Sequence, residues 1–143
     1  MRDTWLCATH SRILTPRRLL TVIRVLVVDD HELIRNLVSA ALDDAGGIEV
    51  IGSCADGQEA CGFAACTRPD VVLMDLSMPR LDGVEATRQI LAIDPSIRVV
   101  IFTSAAHGQR VQEALGIGAV SCVFKGADTT EVIRAVREAA VAA

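Results

Sequence analysis

From Arg24 to the end of the chain, short uninterrupted apolar runs alternate with amphipathic stretches. Val25-Leu26-Val27-Val28, Val71-Val72-Leu73-Met74 and Val99-Val100-Ile101-Phe102 are too short to be buried helices. Their β-branched content makes them strands buried on both faces. Arg24 precedes the first, Pro69 stands before the second, and the third opens at Arg98. Glu49 to Cys54 and Ser121 to Phe124 read as two further strands. The segments between them have helical spacing. The first runs from His31 to Ala45, with Ile34, Leu37, Val38 and Ala41 on one face and Gly46-Gly47 ending it. Asp56 has the character of an N-cap for a second helix reaching Cys66. A third helix covers Val84 to Ile93 before Asp94-Pro95, and a short fourth covers Gln109 to Leu115. Asp128-Thr129-Thr130-Glu131 resembles a capping box opening a last helix through Ala140. Five strand–helix units predict an α/β fold, a doubly wound open sheet of five parallel strands with helices on both faces.

Composition narrows the class. At 143 residues the chain suits one domain with a single core, and 51% hydrophobic against 22% charged residues excludes a wholly disordered chain. No apolar run approaches the roughly 20 residues of a membrane span. The first 22 residues carry Arg2, Arg12, Arg17 and Arg18 against Asp3, a local +3, so the −4 of the whole chain becomes −7 over the remainder. An acidic body argues against a nucleic-acid footprint, which needs a basic face. Residues 1–22 show neither periodicity and are expected to be a disordered extension, with translation beginning near Leu20 or Val22, ahead of a domain at 23–141. Five cysteines (Cys7, Cys54, Cys61, Cys66, Cys122) include no C-x-x-C pair, so reduced, packed thiols are expected. The absence of a secretory pattern points to the cytoplasm.

Four of the buried strands end on polar groups. Asp29 and Asp30 follow the first strand, Asp75 the third, Thr103 the fourth and Lys125 the fifth. Lys125 is the only lysine in a chain with 13 arginines, which suggests that a compact point charge is needed there. In a doubly wound sheet the ligand site lies beyond the carboxyl ends of the strands, where all five residues fall. Each aspartate alone could cap a helix or a turn. Three carboxylates within ~5 Å would repel by roughly 3 kcal/mol per pair at an effective dielectric near 20, so together they call for a cation. Oxygen ligands with open positions suit Mg²⁺, with Mn²⁺ as an alternative. One carboxylate nucleophile, Asp75, ringed by a metal, an ammonium and a hydroxyl suits in-line phosphoryl transfer to an aspartyl phosphate.

V-V-D-D-H at 27–31, D-V-V-L-M-D-L-S-M-P-R-L-D-G at 70–83, F-T-S at 102–104 and V-F-K-G at 123–126 resemble the receiver domain of two-component response regulators. The resemblance spans Arg24 to Ala140 and is strongest to receivers that precede a helix-turn-helix module. It implies the flavodoxin-like strand order 2-1-3-4-5. It also implies that Asp75 accepts phosphate from a sensor histidine kinase, that Asp30 binds Mg²⁺ directly and Asp29 largely through water, and that the Ser77 backbone carbonyl is a further ligand. Lys125 would pair with the phosphate and Thr103 would donate a hydrogen bond to it. Ser77 and Ala105 would help set the phosphoryl lifetime.

The chain departs from that pattern at three places. Cys122 replaces the aromatic residue usual three positions before the lysine, Gly126 replaces a common proline, and Ser104 replaces a commoner alanine. The expected switch region is therefore Ser104, Ala105 and Cys122, with a smaller change centred on the loop from Ser104 to Gln109. No output module follows the last helix, so a single-domain response regulator is expected, a switch that releases its own phosphate without turning over an external substrate. Its partners would be the kinase and a separate output protein, with homodimerisation as an option and no direct contact with nucleic acid or membrane. Two other readings stay open: a receiver fragment of a DNA-binding regulator, and a docking or dimerisation module that is never phosphorylated. A phosphatase of the haloacid-dehalogenase type is disfavoured, because it needs a second aspartate where Ser77 stands.

Overall fold

A computed structural model describes residues 22–104 and 107–142. Five strands, β1 (Ile23–Val28), β2 (Ile48–Cys54), β3 (Val71–Met74), β4 (Arg98–Thr103) and β5 (Ser121–Phe124), form one sheet in the order β2-β1-β3-β4-β5. All four pairings are parallel. The helices are α1 (Glu32–Asp44), α2 (Gly57–Thr67), α3 (Gly83–Ile93), α4 (Gly108–Ile117) and α5 (Thr129–Val141). The expected class, strand number and order are all present. No helix among the described residues is long and apolar enough to cross a membrane.

The pleat divides the strands into two rows, because successive side chains point to opposite faces. Val25, Val27, Val71, Leu73, Val100, Phe102 and Val123 pack with Val38 and Leu42 of α1 and Val132 and Val136 of α5. Leu26, Val28, Val72, Met74, Val99 and Ile101 pack with residues of α2, α3 and α4 on the other face. Both faces being covered accounts for runs with no polar interruption.

Three sequence expectations need correction. Leu37, assigned to the buried face of α1, is 59% exposed, whereas Val38 and Leu42 are buried. At 3.6 residues per turn Leu37 lies about 100° round the helix from Val38, beyond the strip that meets the sheet. The capping box at α5 is half formed: the Asp128 side chain accepts from Thr130 N–H, while Glu131 pairs with Arg134. At α2, Asp56 accepts from Glu59 N–H at 2.8 Å, and Glu59 in return accepts from Ala55 N–H at 2.7 Å. Finally, α4 runs past Leu115 to Ile117, ending where Gly118 takes φ +135°, a conformation that L side chains rarely adopt.

Candidate functional site

Beyond the strand ends the two rows continue. Val28 pairs with Met74, so Asp29 and Asp75 follow side by side on β1 and β3, in the row that faces α1 and α5. Lys125 continues the row of Val123. It starts two residues further along the sheet and reaches back over β4, its Nζ 5.7 Å from the centre of the Phe102 ring. The ammonium then stands 2.7 Å from Asp29 Oδ2 and 3.4 Å from Asp75 Oδ1. The sheet therefore brings the two buried carboxylates and the lone lysine together.

The cluster is wider than the sequence reading allowed. Ligand atoms of Asp29, Asp30, His31 and Asp75 all lie within 4.8 Å of one another. His31 Nδ1 is 3.2 Å from one oxygen of Asp29 and 3.2 Å from one of Asp30, and its backbone N–H donates to Asp29 Oδ1 at 2.9 Å. Arg35 of α1 donates to the Asp29 carbonyl at 2.8 Å. Both residues escaped the sequence reading, although His31 adjoins the acidic pair and Arg35 lies one helical turn further on. Asp30 is exposed, whereas Asp29 and Asp75 are 1% and 2% exposed.

Charge balance in the buried part is incomplete. Burial, reinforced by the neighbouring Asp29 charge, pushes the Asp75 carboxyl above its ordinary range, and Lys125 with the Ser77 N–H only partly counters this. Asp29 Oδ2 is buried, and the Lys125 ammonium at 2.7 Å is the cation set against it. Three carboxylates with ligand atoms within 4.8 Å of one another and one ammonium among them are the oxygen donor set that a hard divalent cation satisfies, so the residues present fit a metal.

The hydroxyl and the flanking positions are placed differently. Thr103 is fully buried and its Oγ1 has no hydrogen-bond partner. Thr103 continues the row of Val99 and Ile101, and no hydrogen bond joins it to the acidic cluster. Cys122 lies on that same face, half buried, with its thiol pushed up by burial. Ser77 and Ser104 are exposed, and the Ser77 N–H meets Asp75 Oδ1 only at 3.5 Å. Ala105 lies outside the described residues, as does the extension up to residue 21.

The response regulator receiver domain model matches residues 25–137. The chain belongs to this family. The receiver is 41% identical over 116 residues to the response regulator GacA of Pseudomonas viridiflava, covering 81% of this chain and 54% of that protein. It is 39% identical to the transcriptional regulatory protein LiaR of Bacillus subtilis, covering 82% and 56%. It thus spans about half the length of the curated relatives it matches. Among solved structures, the response regulator domain of Thermotoga maritima CheB has a TM-score of 0.79 at 32% identity, covering 85% of this chain and 98% of that one. The CheX–CheY–BeF3–Mg²⁺ complex from Borrelia burgdorferi has a TM-score of 0.77 at 27% identity, covering 84% and 90%. The acidic cluster of Asp29, Asp30 and Asp75 is typical of the family's Mg²⁺ site.

Proposed function

We propose that this receiver is a phosphorylation-controlled signalling switch in which Asp75 accepts a phosphoryl group from a histidine kinase. The observation that carries the reading is the buried pair of carboxylates with a single ammonium against both and a raised carboxyl at Asp75. Asp29, Asp30, Asp75 and the Ser77 carbonyl would hold Mg²⁺, which when bound supplies positive charge for the phosphoryl oxygens. Lys125 is placed to pair with a phosphoryl group on Asp75 and to keep Asp29 from repelling it. Thr103, whose hydroxyl is buried without a partner, gains a strong acceptor when a phosphoryl group arrives and it rotates toward the site. That new bond favours one arrangement over another, so the chemistry acts as a population shift through Thr103 and the loop that follows.

The test is incubation with acetyl phosphate and Mg²⁺ followed by intact mass. Wild type should gain one phosphoryl mass, lost on chelation of the metal before incubation, and Asp75→Asn should gain none. Equal labelling of Asp75→Asn would remove the assignment.

The output is proposed to be a separate partner protein, reached in the cytoplasm by a single-domain regulator. Coverage of about half of each curated relative favours a second reading, in which the receiver controls a DNA-binding module in the same polypeptide. An immunoblot of native cells with an antibody against the receiver separates them, since the second requires a band of about twice the mass.

A further inference from the structure

The loop from Asp75 to Asp82 is fastened on two sides by arginines outside the acidic cluster. On the α2 side, Arg80, with φ +67°, donates from Nε and Nη2 to Asp56 Oδ2 at 3.0 and 2.7 Å. The Gly57 N–H also donates to the Leu81 carbonyl. On the α4 side, a single guanidinium nitrogen, Arg110 Nη2, donates to the Leu76 carbonyl at 3.0 Å and lies 3.1 Å from Asp82 Oδ2. Asp82 is the N-cap of α3, accepting from Glu85 N–H. Arg110 therefore joins the first turn of α4 to both ends of the loop that begins with Asp75.

The Leu76 carbonyl belongs to the residue directly after Asp75. It already accepts from the Gly83 N–H at 2.9 Å, and a Cβ at Gly83 would collide with the Asp75 carbonyl, so α3 sits hard against this stretch of backbone. The loop has no room to absorb a change at Asp75 toward α3. It is held to α2 by contacts independent of Arg110. A displacement of the Leu76 peptide, or a new anion beside it, is thus transmitted to α4 through Arg110, the one guanidinium among the described residues that bonds this carbonyl from α4. β5 carries Cys122, half buried and too short to act as an aromatic lever.

We infer that Arg110 is the positioning residue that couples the Asp75 loop to α4, so that charging of Asp75 is read out through the Leu76 carbonyl. The inference rests on Asp75 being the acceptor. A phosphoryl group there adds negative charge one residue before the Leu76 carbonyl that Arg110 holds and draws the guanidinium further onto that backbone, and the first turn of α4 follows. Arg80 anchors the loop but contributes nothing to this coupling, because its partner is on α2.

Amide spectra of the full chain with and without beryllium fluoride and Mg²⁺ test it. In wild type, shifts are expected both at Ser77 and along Gly108 to Ile117. In Arg110→Ala the Ser77 shift should persist while most of the α4 shift is lost. Arg110→Lys, which keeps the charge and one donor, should restore part of the α4 response. Arg80→Ala should leave it as in wild type. Undiminished α4 shifts in Arg110→Ala, an equal loss in Arg80→Ala, or a wild type that responds at Ser77 but not in α4 would each overturn the coupling. No response at Ser77 in wild type would instead sink the acceptor reading beneath it.

Discussion

Asp56 and Asp75 are two buried aspartates at the same rim of the sheet, and the chain treats them in opposite ways. Asp56 accepts from the Glu59 N–H and twice from Arg80, and these bonds hold its carboxyl below the ordinary range. Asp75 faces Asp29 and shares one lysine with it, and burial holds its carboxyl above that range. One carboxylate is satisfied by the fold itself. The other is left for something outside the fold to satisfy, and that contrast separates a structural aspartate from a reactive one more sharply than burial does.

The largest effect is expected from removing the shared cation. Lys125→Ala leaves two buried carboxylates uncompensated and should cost about 3 kcal/mol of stability by denaturant unfolding without metal. In an Asp75→Asn background the same change should cost clearly less, giving a measurable coupling in a double-mutant cycle. Asp56→Ala should cost about 2 kcal/mol through the lost cap and the unpaired Arg80, with phosphorylation of Asp75 retained. Asp75→Asn should instead stabilise the metal-free protein by about 1 kcal/mol, the part of the like-charge repulsion that Lys125 does not offset.

Acid sharpens the contrast because the signs differ. The folded pKa of Asp56 is depressed, so its contribution is present above the ordinary value of 3.8 and is lost as the pH falls through the lower folded value. The folded pKa of Asp75 is raised, so its penalty grows as the pH rises from 3.8 through the folded value and is full above it. Thermal melts from pH 3 to pH 7 should therefore show the deficit of Asp56→Asn and the gain of Asp75→Asn both shrinking toward the acid end. A gain in Asp75→Asn that does not depend on pH would show that the raised carboxyl is not its source. The smallest effect expected is at Cys54, whose buried thiol is pushed up to about 12 and should resist alkylation at pH 8 in the folded protein.

The strands and the polar residues at their ends were legible because both depend on local pattern. Four-residue apolar runs demand burial on two faces, and the residue ending each run must emerge at the rim. Leu37 was misjudged because one helical face could be drawn through it or through Leu42, and only the packing of α1 on the sheet decides between them. His31 carries no role in the sequence alone, since an exposed histidine gains meaning only from the carboxylates the fold sets beside it. Arg80 and Arg110 were invisible for a related reason. Their partners lie 24 and 34 residues away in sequence, and no spacing rule links a guanidinium to a carboxylate or a carbonyl across that distance.

The pleat has one more consequence. Asp29, Asp75 and Lys125 continue the layer shared with α1 and α5, while Cys122 packs in the layer of α2, α3 and α4 and Thr103 continues that layer's row after Val99 and Ile101. Both rows end at the same rim, so a phosphoryl group on Asp75 is met from one layer by Lys125 and from the other by Thr103 turning over the edge of the sheet. A fluorine label on α5 would sense the layer that holds the acceptor and a label on α4 the layer from which the alcohol turns, so the two responses to one loading event could be timed separately in one molecule.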